Sequence, residues 1–131
     1  MTAYLLDTDT VSFALRGDGN VAVTMLSQKP SQLAISSLTL GELRFGAEKR
    51  KSKKLHHLID VFVGTIEVLA YGAEAATYFG KLCALLQRRG TPIGTVDTMI
   101  AAHAQSLDRV LVTNNGRHFS RVAGLKLENW L

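Results

Sequence analysis

Three acidic residues stand at places in the chain where they could act together. Asp7 directly follows a short apolar run, Glu42 falls in the early turns of a predicted helix, and Asp97 begins another. Carboxylates within about 4 Å of each other repel by roughly 4 kcal/mol per pair at an effective dielectric near 20, so such a cluster needs a cation. Hard oxygen ligands prefer Mg²⁺ or Mn²⁺, and such an ion can activate water against a phosphodiester. Together these acids could therefore hydrolyse phosphodiester bonds.

The same acids also have a simpler interpretation as helix caps. An Asp or Glu in the first turn of a helix binds unpaired backbone N–H groups and favours the helix dipole, stabilising by about 0.3–1 kcal/mol. Asp7 fits this interpretation least well, because Asp9 follows it and a cap needs one carboxylate. Residue types and spacing alone leave both interpretations open.

Alternating strands and helices would position these acids. Apolar runs predict strands at 3–6, 33–35, 66–69, 110–113 and 125–127, and periodicity and caps predict helices over 8–16, 21–28, from 36 onward, 53–64, 73–89 and 96–107. Because parallel strands need helical crossovers, this order predicts an α/β fold, a three-layer α/β/α sandwich around a mostly parallel sheet of four to five strands. Functional groups gather beyond the carboxyl ends of such strands, which would bring the three acids to one cleft.

Length and composition favour a single domain over residues 1–131. The chain is 47% hydrophobic, enough to form a core without disulfides or structural zinc. The one cysteine, Cys83, lies in an apolar helical pattern, which favours packing over redox chemistry and a reducing, cytoplasmic setting. No signal-like start or long uncharged apolar stretch is present, so neither export nor membrane spanning is expected.

Basic residues slightly outnumber acidic ones. Fifteen Lys and Arg against eleven Asp and Glu give a formal net charge of +4. Five of the six residues from 49 to 54 are basic: Lys49, Arg50, Lys51, Lys53 and Lys54. Such a run binds nucleic-acid phosphates in a salt-sensitive, sequence-independent way, or it is simply solvated surface. RNA binding by this run is one of two open interpretations, and Arg88, Arg89 and Arg117 are weaker candidates.

Four segments carry a family resemblance. In order they are "YLLDTDTVS", "ISSLTLGELRFGAEK", "PIGTVDTMIAAHA" and "VLVTNNGRHFSRVAGLKLENW". They resemble the motif regions of VapC-type toxins in the PIN-domain ribonuclease family, over essentially the whole chain. The resemblance implies a Mg²⁺- or Mn²⁺-dependent endoribonuclease that acts on an RNA substrate. It also implies inhibition by a cognate VapB-type antitoxin and a homodimer within the toxin–antitoxin complex.

Three of the family's metal-binding acids are present in this chain. The resemblance places them at Asp7, Glu42 and Asp97. Many members have a fourth acid after the last core strand, at the position of Asn115 or, in the "T-N-N" subgroup, at that of His118. Neither residue is acidic here, which leaves open whether one or two ions bind.

Neutral groups near the missing acid are candidates for a supporting role. Thr113, Asn115 and His118 could supply ligands or hydrogen bonds, and Asp9 could restore negative charge. His118 could also shuttle protons or contact phosphate, but a partly buried place beside the next residue, Phe119, is the favoured interpretation. His103 should lie roughly 120° around its helix from Asp97 and is not expected to bind the ion.

Two other functions fit parts of the pattern. In "LLDTDTV", Asp7 could be the nucleophile and Asp9 the acid/base of a haloacid-dehalogenase-type phosphatase. That enzyme needs a downstream Lys and paired acids after the fourth strand, where this chain has Thr-Asn-Asn. The non-enzymatic alternative is an RNA- or antitoxin-binding module whose nuclease site is weakened by loss of the fourth acid.

Overall fold

A five-stranded sheet forms the centre of the computed structural model, which covers residues 1–131. The strands are Tyr4–Leu6 (β1), Leu33–Ser36 (β2), Glu67–Leu69 (β3), Val110–Val112 (β4) and Leu127–Glu128 (β5). Their order is β3-β2-β1-β4-β5, and every neighbouring pair is parallel. Leu5 of the central strand pairs with Ala34 on one side and Leu111 on the other. The predicted parallel sheet is confirmed.

Seven helices connect the strands. They are Thr8–Arg16 (α1), Val21–Leu26 (α2), Ser37–Lys49 (α3), Lys53–Val63 (α4), Ala73–Arg88 (α5), Thr95–Ser106 (α6) and Gly116–Phe119 (α7). A short 3₁₀ turn at Pro30–Gln32 leads into β2. The predicted elements are all present, but α7 and the 3₁₀ turn were not expected because they are too short to show a period. No helix has both the length and the apolar character needed to cross a membrane.

Capping residues fix where the helices near the site begin and end. The side chain of Asp7 accepts a hydrogen bond from the Thr10 N–H at 2.9 Å, so Asp7 caps α1. Gly17 ends the same helix in the left-handed conformation, with φ of 73°, where glycine carries no steric cost. The Ser36 hydroxyl caps α3 by accepting from the Leu38 N–H at 3.1 Å. These caps place the first turns of α1 and α3 at the ends of β1 and β2.

The core lies on both faces of the sheet. Tyr4 and Leu6 pack with residues of α1 to α4, while Leu5, which points the other way, packs with residues of α5 and α6. Leu5 and Leu6 are completely buried, as expected for a central parallel strand covered by helices on both sides. Trp130 packs edge-on against Tyr4 with ring centroids 4.8 Å apart, which anchors the end of the chain. The three-layer arrangement follows because successive side chains of a strand point to opposite faces of the sheet, and helices cover both faces.

Candidate active site

Four carboxylates line one cleft at the carboxyl end of the sheet. They are Asp7, Asp9, Glu42 and Asp97, and Thr8 and Ile100 complete the lining. Asp7 arrives at the end of β1, Asp9 on α1, Glu42 on α3 and Asp97 in the first turn of α6. The structure therefore brings together the three acids singled out in the sequence, together with Asp9.

Asp7 is the most buried of these acids, with 7% of its surface exposed. Its carboxylate accepts hydrogen bonds from Thr10 and Thr113, which lower its pKa, but the larger effect of burial raises the pKa above its ordinary value. The nearby charge of Asp9 raises the pKa further. Asp7 is thus both a helix cap and a carboxylate whose charge is disfavoured by its surroundings. A cation bound beside it would favour the charged form.

Asp97 shares the cleft with a histidine. Burial raises the pKa of Asp97, while the nearby His118 opposes that shift. The Nδ1 atom of His118 lies 3.7 Å from an Asp97 carboxylate oxygen and 3.2 Å from the Asn115 side-chain nitrogen. His118 is half-buried next to the buried Phe119, as expected, and its imidazole also faces Asp97. Its role there stays a prediction.

Glu42 is held across the cleft by threonine hydroxyl groups. The Thr8 hydroxyl donates a hydrogen bond to a Glu42 carboxylate oxygen. Thr8 also lies 3.4 Å from the Thr39 hydroxyl, one turn before Glu42 on α3. This contact links α1 to α3 and orients the exposed Glu42 side chain. Neither Thr8 nor Thr39 was expected to hold Glu42, although Thr8 stands between two of the candidate acids in the sequence.

The remaining supporting candidates surround the same site. Thr113 is buried and hydrogen-bonds to Asp7, and its hydroxyl accepts from the Asn115 N–H at 3.0 Å. Asn115 reaches the cleft through His118 and does not line it. The residues at the position of the family's fourth acid thus form a hydrogen-bonded pair that contacts Asp97 from one side.

The donor set of the cleft suits a hard divalent cation. Its ligating atoms are carboxylate and hydroxyl oxygens, which Mg²⁺ and Mn²⁺ prefer. As the side chains lie here, no three histidine, cysteine or acidic side chains converge closely enough to share one ion. Mg²⁺ needs no such cage, because it commonly binds through one or two carboxylates and keeps several waters. The residues present therefore fit a magnesium or manganese ion.

His103 lies away from the cleft, as its helical position indicates. It is 2% exposed, its Nδ1 atom is 2.9 Å from the Ser36 hydroxyl, and its ring packs edge-on against Tyr71. Burial lowers the pKa of this imidazole, which favours the neutral form. His103 joins α6 to the end of β2 and contributes to the fold.

The phosphatase alternative finds little support in this arrangement. The cleft lining contains no lysine, and β4 is followed by Thr113, Asn114 and Asn115 where that enzyme class has paired acids.

The basic run from 49 to 54 is exposed except for Ser52 and lies at the junction between α3 and α4. Among its members, Arg50 lines a groove that adjoins the cleft.

Comparison with known proteins agrees with this fold. The sequence profile of the PIN domain matches residues 4–125. The tRNA(fMet)-specific endonuclease VapC of Salmonella typhimurium is 39% identical over 131 residues, which cover 99% of both chains. A chain in the crystal structure of DNA-bound VapBC from Salmonella typhimurium matches the whole chain with a TM-score of 0.88 and 40% identity. A chain in the crystal structure of VapBC2 from Rickettsia felis, bound to a DNA fragment from its promoter, matches 99% of this chain and 100% of its own length, with a TM-score of 0.87 and 33% identity. The chain belongs to the PIN domain family, in the group that contains the VapC ribonucleases.

Proposed function

We propose that this protein is a metal-dependent endoribonuclease and the toxin of a type II toxin–antitoxin pair. The observation that carries the proposal is the meeting of Asp7, Glu42 and Asp97 in one oxygen-lined cleft at the carboxyl end of the sheet. The raised pKa values of Asp7 and Asp97 support it, because carboxylates whose charge is disfavoured by burial gain from a bound cation. The names of the curated relatives supply the reaction class, cleavage of RNA.

The residues of the cleft have distinct roles in this proposal. Asp7 and Asp97 would hold a Mg²⁺ or Mn²⁺ ion, and Glu42, oriented by Thr8, completes the acidic lining. Such an ion, when bound, would lower the pKa of a water and offset negative charge on the phosphodiester. His118 lies beside Asp97 and favours its ionised form, which is the form that binds a cation. No side chain is required as a covalent nucleophile.

Transfer RNA is the substrate class that we infer. The relative from Salmonella typhimurium, 39% identical over nearly the whole of both chains, is named for cleavage of tRNA(fMet). A basic chain with an exposed run of cations suits a large folded polyanion. We therefore place the enzyme in the cytoplasm, where transfer RNA is found.

We further infer that a VapB-type antitoxin binds and inhibits this protein. Three similar chains of known structure come from VapBC complexes, two of which are bound to DNA. A homodimer of the toxin within such a complex is part of the same proposal. Co-expression with the antitoxin should abolish RNA cleavage, and removal of the antitoxin should restore it.

A cleavage assay on transfer RNA tests the function. Purified protein and its Asp7→Asn variant are each incubated with a mixed transfer RNA pool in Mg²⁺, in Mn²⁺ and in chelator, and fragment ends are mapped. We expect a small set of defined cuts, made by the wild-type protein only and with metal only. Absence of cleavage by wild-type protein under all three conditions, with RNA binding intact, would favour the binding-module alternative.

A further inference from the structure

A second depression adjoins the acidic cleft. It lies between α1, α3 and the beginning of α4 and has a volume of about 130 Å³. Thr8 and Glu42, which are hydrogen-bonded to each other, line both this groove and the cleft, so the two are adjacent. Beyond these shared residues, Gly46 lines the groove on α3, and Arg16 and Arg50 bring positive charge to it.

Arg50 is the cation of this groove whose charge is least compensated. It stands at the end of α3 and is exposed, and its guanidinium group makes no hydrogen bond or ion pair with the rest of the chain, although its backbone N–H donates to the Gly46 carbonyl at 3.2 Å. Arg16, by contrast, is paired with Asp18 at 2.9 Å and stacks over Phe13. A cation at a helix C-terminus is favoured by the helix dipole, which accounts for an arginine at that position. The helix dipole explains why an arginine stands at the end of α3, but it does not explain why a groove lies beside that arginine.

Gly46 keeps the groove open at a cost to the helix. Glycine inside a helix is less favourable than alanine by about 1 kcal/mol. A Cβ atom built on Gly46 would meet nothing within 4 Å, so packing within the chain does not require glycine there. Gly41 and Gly80 have equally open surroundings but line neither groove nor cleft. Of these three glycines, only Gly46 stands where an added side chain would enter the groove.

We propose that this groove is a second RNA-binding subsite, in which Arg50 binds a backbone phosphate of the strand that is cut at the acidic cleft. This proposal rests on the proposed function, because an RNA strand lies beside the groove only if it is cut at the acidic cleft. RNA fits better than a protein segment, since the groove lies next to the acidic cleft, with Thr8 and Glu42 lining both, and carries an unpaired guanidinium. A guanidinium can bind phosphate through two parallel hydrogen bonds.

Two variants and two matched controls test the subsite. Arg50→Ala removes the charge, and Gly46→Leu places a side chain at the groove from a position where its Cβ atom would meet no heavy atom within 4 Å. Lys81→Ala removes an exposed charge on α5, on the other side of the sheet, and Gly80→Leu adds the same side chain to an open position of that helix. All four are made in the wild-type protein for cleavage assays and in the Asp97→Asn protein for binding assays. The probes are a transfer RNA pool and a fluorescein-labelled single-stranded 12-nucleotide RNA.

The expected effects differ in kind between the two variants. Arg50→Ala should weaken binding of the 12-nucleotide RNA about tenfold, because hydrogen bonds to charged groups are among the stronger ones. It should also reduce the slope of log affinity against log salt by about 0.7, the value for one phosphate contact on a single strand. Gly46→Leu should lower cleavage and affinity by a similar factor while its melting temperature stays at or above that of wild type. Both control variants should behave like the parent protein.

The outcomes separate this proposal from the proposed function. If wild type cleaves RNA but Arg50→Ala and Gly46→Leu leave cleavage, affinity and salt slope unchanged, the subsite is rejected and the nuclease assignment stands. If wild type never cleaves but RNA affinity falls in both variants, the groove binds RNA and the nuclease assignment fails. If both variants bind and cut RNA normally and Gly46→Leu blocks assembly with the antitoxin, the groove belongs to a protein partner, which overturns the RNA subsite.

Discussion

Single carboxyl groups in this protein serve the fold and the site at once. Asp7 accepts the Thr10 N–H as the cap of α1, which is the structural role expected for an acid at that position. The same carboxyl group is buried at the end of the central strand, next to Asp9, and its pKa is raised. An exposed or neutral side chain could cap the helix without the cost of burying a charge. The cap and the metal-binding interpretations of Asp7 are therefore compatible.

Asp7→Asn should stabilise the fold and abolish cleavage. Asn caps helices as well as Asp does, and it carries no charge in the buried site. Because the folded-state pKa of Asp7 is raised, ionisation costs the wild-type protein stability as pH rises from the ordinary value of 3.8 through the folded value. The melting temperature of the variant, measured in chelator from pH 4 to 8, should therefore exceed that of wild type increasingly as pH rises. A lower melting temperature for the variant at pH 7 would refute this account of Asp7.

His118→Ala should shift the acid limb of the cleavage profile to higher pH. The imidazole opposes the burial that raises the pKa of Asp97, so its removal raises that pKa further and delays ionisation of the carboxyl group. The measurement is the cleavage rate at a fixed, subsaturating Mg²⁺ concentration from pH 5 to 9. His57→Ala, an exposed histidine of α4, is the control and should leave the profile unchanged. An acid limb that stays in place or moves to lower pH in His118→Ala would show that His118 does not act on Asp97.

At the scale of the elements, the order of strands and helices could be predicted from the sequence because each signal is local. The amphipathic period of α4, the cap at Ser36 and the glycine after α1 lie within a few residues of the boundaries they set. The four-residue α7 shows no period, and it decides where His118 points. The sequence therefore predicted the acids of the cleft but not the orientation of His118.

Contacts between elements were the second kind of feature that the sequence did not reveal. The Thr8 hydroxyl reaches Glu42 across 34 positions, and His103 reaches Ser36 across 67. Such pairs depend on how α1, α3 and α6 pack around the sheet, which no local pattern encodes. The hydrogen bond between Thr8 and Glu42 is part of the site, so the sequence predicted which acids meet but not how Glu42 is held.

The link between α6 and β2 should make the fold sensitive to acid. The pKa of His103 is lowered by burial, so below the ordinary value of 6.5 the unfolded chain binds a proton more readily than the folded one. Stability should therefore fall as pH drops from 6.5 toward the lowered folded-state pKa. Urea unfolding at pH 5.5 and 7.5 measures the loss, which should be smaller in His103→Asn. An equal loss in both proteins would place the acid sensitivity elsewhere.

At the scale of the whole molecule, a basic chain gathers four of its eleven acidic residues in one cleft. The net charge is +4, yet four carboxylates share the cleft at one end of the sheet. Under the proposed function, the positive charge would attract a polyanion over a distance, and a bound cation would offset the negative charge of the cleft.

Metal binding should stabilise the folded protein. An ion that binds only the folded state adds about 2.7 kcal/mol of stability when its concentration is a hundred times its Kd. We expect the melting temperature of wild type to rise with Mn²⁺ concentration and that of Asp97→Asn to rise much less. Thermal unfolding in increasing Mn²⁺ measures both, with Asp108→Asn, an exposed acid before β4, as the control. Equal shifts in all three proteins would mean that the stabilising ion binds outside the cleft.

The most direct test of the central claim, that the acids of this cleft hold the ion that cuts RNA, is the rate of transfer RNA cleavage as a function of Mn²⁺ concentration. In wild type the rate should be zero in chelator and should rise to a plateau over the concentrations that raise the melting temperature. Asp97→Asn should show neither response. Cleavage at the plateau rate in chelator, or by Asp97→Asn in saturating Mn²⁺, would contradict the account.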